Sequence, residues 1–220
     1  MSNLDLNCFQ RLNRAARKFS TRLATDAIVT PTPEYTWRNE VWSSDKFRRA
    51  HVEEFISPAI CVLHIVIFPH MDDPAPIYGF DVVTGIKKPA GCYVDLSPSV
   101  HDWKNWRTFV ELPSDVPANK KLPEWSTVFS EDFIAIPPRD EEHMEEMFDY
   151  GLRLLEYYLS KLKQETADPK LVYDAHKHYS TMQRSNQKTR QILSRMIGEE
   201  EADKFMTQVL FPDPPVGFPS

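Results

Sequence analysis

Three ionisable side chains in this sequence stand among hydrophobic neighbours. They are Glu53 in FRRAHVEEF (47–55), His64 in ICVLHIVIF (60–68) and Asp81 in PIYGFDVVTG (76–85). A buried carboxylate without a partner is costly, and its pKa climbs until it takes a proton or gains a counter-charge. A carboxylate and an imidazole in one pocket form a proton store of tunable pKa, which acid–base chemistry near neutral pH requires. Each residue also has a plainer explanation. A lone histidine in a strand is commonly a hydrogen-bonded core residue or faces solvent. Glu53, beside Glu54, fits a solvent face. Asp81 is the least usual of the three, an acid inside IYGFDVV.

The elements that carry them read as strands. Six segments alternate or run β-branched and aromatic: 34–44, 47–55, 60–68, 76–85, 89–98 and 125–138. Their short links predict an antiparallel meander, because parallel strands need long crossovers. On period-2 faces, His64 lies with Val62, Val66 and Phe68. Asp81 lies with Ile77, Gly79 and Val83, and Glu53 with Phe47, Arg49, His51 and Phe55. Residues 4–25 have apolar residues at helical spacing, ended by Pro31 and Pro33. Segments 140–164, 168–198 (with a break near Asn186) and 199–211 are helical, with acids in the first turns of 140–164 and lysines near its end, as the helix dipole favours. Helices outside a run of strands predict an α+β fold, one sheet covered by helices, in a single domain over residues 1–220.

Composition excludes several kinds of chemistry. The net charge of -6 argues against a nucleic-acid binder. Cys8, Cys61 and Cys92 are too scattered for a disulfide framework or an iron–sulfur cluster, which suits a reducing, cytoplasmic compartment. With 6 glycines there is no GxGxxG and no GxxxxGK[ST], so no usual loop for NAD, flavin or ATP phosphates. No run approaches the ~20 apolar residues of a membrane helix, and the N-terminal stretch lacks the apolar centre of a secretory signal. Nothing demands more than a monomer. His176 and His178, two apart on a helix, point in different directions and read as surface histidines, not metal ligands. Lys87, Lys88, Lys120, Lys121 and the string Arg184, Lys188, Arg190, Arg195 read as solvated basic faces or as a site for an acidic partner or a ligand carboxylate.

The ordered set HVEEF (51–55), VLHIVIFP (62–69), PIYGFDVV (76–83), YVDLSP (93–98), LPEW (122–125), SNQKTRQIL (185–193) and FMTQVLF (205–211) resembles the ferredoxin-dependent bilin reductases. The resemblance implies an α/β/α sandwich, a central antiparallel sheet with helices on both faces. It implies an open-chain tetrapyrrole substrate, biliverdin IXα, between the sheet and the C-terminal helices. It also implies no bound metal or organic cofactor, with reduced ferredoxin giving single electrons through bilin radicals. Carried over residue by residue, Asp81 is the central proton donor, His64 its partner at the ring end, and Glu53 the residue serving a terminal vinyl group. Lys188 anchors a substrate propionate, and Lys120 stands where an arginine is expected for the same task. Asn186 can hydrogen-bond the bilin. Gln187 departs from the pattern: an amide replaces an aspartate that assists proton transfer in several members, which bears on regiospecificity. The Glu–His–Asp set is most similar to the phycocyanobilin-forming branch. Gln187 and the short chain are most similar to its compact phage-encoded relatives, which yield phycoerythrobilin. The competing reading is a non-catalytic tetrapyrrole carrier or bilin-attachment chaperone. An acidic ferredoxin would dock on a basic patch, for which Lys87, Lys88, Lys120 and Lys121 are candidates.

Overall fold

The computed structural model describes residues 27–29, 36–85, 89–113, 116 and 124–216. The expected helix at 4–25, Cys8 and the lysines 87, 88, 120 and 121 lie outside the described residues. Among the described residues seven strands form one sheet in sequence order: β1 (Ala27–Val29), β2 (Thr36–Trp42), β3 (Phe47–Ile56), β4 (Ile60–Pro69), β5 (Ile77–Gly85), β6 (Pro89–Ser97) and β7 (Ile134–Ile136). Every neighbouring pair is antiparallel, so the meander expected from short links is present. β1 adds a strand to the six expected.

Two expectations are corrected. Residues 125–138 are not one strand. A 3-10 turn covers Glu124–Val128, and only Ile134–Ile136 pairs in the sheet. Side chains hold the intervening loop off the ladder: Ser130 Oγ donates to Asp95 Oδ1 at 2.5 Å, and Arg107 Nη2 donates to the Phe133 carbonyl at 2.6 Å. Polar side chains that capture backbone or neighbouring groups compete with strand pairing in this way. His176, expected at the surface, is fully buried at 0% exposure, against Phe68 of the sheet and close to Arg48. His178 is exposed.

Among the described residues four helices follow: α1 (Glu141–Lys161), α2 (Pro169–Arg184), α3 (Gln187–Ile197) and α4 (Glu199–Phe205), the last running into a wider turn at Met206–Leu210. The break near Asn186 is real. Asn186 caps α3, its side-chain oxygen accepting from the Lys188 and Thr189 amides at 3.1 and 3.4 Å. Such a cap stabilises a helix end by about 1 kcal/mol. Asp140 and Asp168 cap α1 and α2 in the same manner. Gly198, at φ 85, supplies the left-handed residue that separates α3 from α4.

Alternation sorts the strand side chains into two layers, except that a shift in the β3–β4 register between Phe47 and Arg49 puts Phe47 in the layer beneath α1 and not on the expected Glu53 face. Leu63, Ile65 and Ile67 of β4 join Tyr78, Phe80 and Val82 of β5 beneath Met144, Met147, Phe148 and Leu154 of α1. Gly151 lets α1 lie close, because a Cβ there would collide with the Phe80 ring. On the other face Trp37, Phe55, Val66, Phe68 and Ile77 meet Tyr179 of α2, Leu193 of α3, Ala202 of α4, and Met206, Leu210 and Phe211. The sheet is therefore covered by helices on both faces, as an α/β/α sandwich requires. Each large apolar side chain fully buried this way contributes roughly 1.5–3 kcal/mol.

Candidate active site

The pairing register brings the three sequence candidates into one line. Asn39 of β2 is opposite Glu53 of β3, Glu53 opposite His64 of β4, His64 opposite Asp81 of β5, and Asp81 opposite Tyr93 of β6. Directly opposed residues point to the same face, with Cβ atoms about 4.5–5.5 Å apart. The face is the one covered by α2, α3 and α4. His64 and Asp81, 17 positions apart in sequence, meet through His64 Nδ1 and Asp81 Oδ1 at 2.5 Å. The His64 side chain is 13% exposed and that of Asp81 37%, so the pair opens outward on the Asp81 side. Glu53 is 8% exposed, and Trp37 Nε1 donates to its Oε1 at 2.7 Å.

The electrostatics follow from burial and charge. Burial alone would lower the His64 pKa. The Asp81 carboxylate, by charge and by hydrogen bond, and then Glu53 outweigh it, and the imidazole is held above its ordinary value. Burial pushes Glu53 up, opposed by His64 and the Trp37 hydrogen bond and aided by Asp81. His51, two residues before Glu53 on the same face, goes the other way: burial, then His64 and Arg49, push it well below 6.5. It is a neutral ring with Nε2 3.0 Å from Asn39 Oδ1, and its centroid is 5.8 Å from that of His64. Among the described residues, His64 Nε2 and His51 Nδ1 have no hydrogen-bond partner. The line thus holds a histidine whose pKa is raised beside one whose pKa is lowered, and a carboxyl whose pKa is raised. Such an arrangement can deliver protons to a flat acceptor lying on it.

The other candidates are placed less centrally. Asn186, Gln187 and Lys188 form the start of α3, on the same side of the sheet. Lys188 and Gln187 are exposed, and Asn186 is engaged in the cap. Among the described residues no hydrogen bond joins them to the line. Lys120 lies outside the described residues. Arg184 and Arg190, expected to be solvated, form ion pairs with Asp213 and Asp203. Sequence reasoning did not single out Trp37, which fixes Glu53. It also passed over Asp95, buried on this face and pushed up to about 7 by burial, against hydrogen bonds from Ser130 and Ser97. Strand alternation from Asp81's partner Tyr93 would have found Asp95. Nothing local marks Trp37, which depends on the β2–β3 register. A surface hollow of about 190 Å³ lined by Asp73, His101, Trp103, Phe109, Tyr157 and Lys161 shares no residue with the line. Among the described residues no group of three His, Cys, Asp or Glu side chains is placed to hold a metal ion. Cys61 and Cys92 are buried.

Residues 15–212 match the ferredoxin-dependent bilin reductases. The chain belongs to that family. It is a ferredoxin-dependent bilin oxidoreductase, with ferredoxin as electron donor. Among curated relatives, the phycocyanobilin:ferredoxin oxidoreductase of Trichodesmium erythraeum is 30% identical over 187 residues, covering 80% of this chain and 76% of that one. The enzyme of the same name from Synechococcus sp. strain CC9902 is 32% identical over 199 residues, covering 80% and 76%. Among solved structures, PcyX superposes with a TM-score of 0.62 at 19% identity, covering 94% of this chain and 99% of that one. Tomato phytochromobilin synthase in complex with biliverdin superposes at 0.67 and 16% identity, covering 92% and 82%. These two show the shared fold. No helix among the described residues is long and apolar enough to cross a membrane.

Proposed function

We propose that this bilin reductase acts on biliverdin IXα, taking electrons singly from reduced ferredoxin through bilin radicals, with protons from Asp81, His64 and Glu53. The observation that carries the reading is the 2.5 Å His64–Asp81 contact at the middle of the polar line. Each two-electron reduction of a bilin double bond takes up two protons. An added electron makes the tetrapyrrole more basic, so a proton held in position at the correct ring selects the product. Asp81, the most open member, donates at the centre of the tetrapyrrole. His64 holds its proton through the Asp81 contact and supplies it at the ring end. Glu53, buried and held by Trp37, serves the terminal vinyl group. Phe211 stands edge-on to the His64 ring at 5.7 Å, so a flat substrate reaching His64 displaces or turns that ring.

Lys188, exposed on the first turn of α3, fits an anchor for a propionate, and Lys120 is assigned the same task. Asn186 supplies a hydrogen bond to the bilin. Gln187 cannot donate a carboxylic proton, which bears on regiospecificity, and its likeness to the compact phage-encoded relatives favours phycoerythrobilin, with phycocyanobilin the next choice. The biliverdin held by the tomato relative supports the choice of substrate. The protein acts as a single domain and a monomer in this reading.

The test is anaerobic turnover of biliverdin with ferredoxin, its reductase and NADPH, followed by visible absorbance and product chromatography. Transient radical absorption followed by a phycobilin is expected. A bound spectrum that stays unchanged after electrons are supplied would overturn the reading.

A further inference from the structure

The polar line does not stop at Asp81. Its next member is Tyr93, directly across the ladder on β6. Tyr93 is half-buried, and burial followed by the nearby Asp81 charge raises its pKa, so the phenol keeps its proton. Two features fix where the ring lies. Gly91, two residues earlier on the same face, leaves the space: a Cβ there would sit 2.6 Å from the Tyr93 hydroxyl and 2.8 Å from Cε2 and Cζ. Phe133 backs the ring nearly parallel, at 15° and 6.4 Å between centroids. Phe129 continues the stack at 4° and 4.3 Å. Three near-parallel aromatic planes thus flank the open side of the His64–Asp81 pair. A lone exposed tyrosine would need no glycine cradle and no backing rings. Its rotamer freedom is already removed, so a ligand ring that stacks on it loses little entropy in ordering the site.

We propose that Tyr93 is a substrate-contacting residue: the front ring of this stack is the platform on which one ring of a planar conjugated tetrapyrrole rests, beside Asp81. This rests on the functional reading above. Stacking depends on the π face and tolerates change of the substituents around it. Tyr93 therefore sets how far the substrate slides across Asp81, and through that which ring atom faces the carboxyl.

The experiment compares the wild-type chain with Tyr93→Leu, Tyr93→Phe, Tyr93→Trp and Gly91→Ala. Biliverdin affinity is read by absorbance titration, products by chromatography, and folding by circular dichroism and melting. Tyr93→Leu is expected to weaken binding about tenfold and to broaden the product distribution, because about this much is carried by one aromatic stacking contact. Tyr93→Phe and Tyr93→Trp keep binding within about threefold. Gly91→Ala reproduces the Leu phenotype with the tyrosine still present, since its Cβ pushes the ring aside. Wild-type affinity and products in a folded Tyr93→Leu protein would overturn the platform, as would equal losses in the Leu and Trp variants. If Tyr93→Leu does not fold, Gly91→Ala with wild-type affinity overturns it instead. A wild-type chain that binds no bilin removes the functional reading itself. One that binds and turns over while Tyr93→Leu is indifferent removes only Tyr93.

Discussion

The two faces of strands β3–β6 are built from adjacent residues of the same chain, yet they obey opposite rules. Leu63, Ile65, Ile67, Phe80, Val82 and Val94 face α1 and are each 0% exposed. On the opposite face Glu53, His64, Asp81 and Tyr93 look toward α2–α4, with Glu53 bonded to Trp37 and His64 to Asp81. An apolar layer has no preferred pairing chemistry, and its contribution scales with buried area. A polar line under a helical cover is costly unless each member finds a partner. The comparison teaches that one layer supplies the stability that lets the other hold groups away from their ordinary pKa values. Glu53 at 8% exposure is tolerable because Trp37 donates to it.

Substitutions on each face should therefore separate stability from turnover. The largest effect is expected for Asp81→Asn. The amide keeps the shape and still accepts a bond from His64, but donates no acidic proton. Turnover should fall on the order of 10²–10⁴-fold, the range of a positioned acid, with bilin affinity largely kept. Single-turnover absorbance checks this, and full activity would remove Asp81 from the proton path. Next is Ile65→Ala, on the α1 face. It should cost about 2–5 kcal/mol of stability in chemical denaturation, with turnover per folded molecule unchanged. A specific loss of turnover there would merge the two layers. His64→Gln should stall the reaction at a radical or partly reduced stage, visible in stopped-flow spectra. Trp37→Phe removes the donor that holds Glu53. It should cost about 1–3 kcal/mol and raise the Glu53 pKa further, since the lost hydrogen bond favoured the charged form.

The smallest effect is in pH dependence, and its sign differs between two histidines on one strand pair. The folded His64 pKa lies above 6.5, so its stabilisation is complete below pH 6.5 and fades as pH rises through the folded value. The folded His51 pKa lies well below 6.5, so its contribution is complete above pH 6.5 and is lost as pH falls toward the folded value. The melting temperature difference between wild type and His64→Gln should therefore shrink above pH 6.5. NMR titration should show one ring changing above that pH and the other silent until well below it. Parallel titration of both would dissolve the distinction.

Much of this was legible before any coordinates. Period-2 spacing put His64, Asp81 and Glu53 on defined faces, and short links gave the meander, because β-branched runs and turn residues act locally. The order of motifs pointed to the family. What remained hidden was non-local. Trp37 reaches Glu53 only through strand register, and His176 is buried only because α2 lies across Phe68. The strand expected over 125–138 has the right residue types, but only Ile134–Ile136 pairs. Its Ser130 and Arg107 contacts, formed with β6 and with the turn at Trp106–Thr108, take the backbone elsewhere.

The meander has an evolutionary corollary. Because every hop of the line is between strands consecutive in sequence, a change of length at a hairpin tip, as at Ser57–Ala59 between Glu53 and His64, leaves the strand faces unchanged and costs only the contacts of the turn, such as those of Ser57 with Ile60. Inside a strand the same single insertion would turn a side chain of the line through the sheet into the grease beneath α1, since a slip of one residue inverts the faces. Descendants of this fold are thus free to trim their tips, and new specificities should arise by exchanging side chains along the line with the strand interiors kept at constant length.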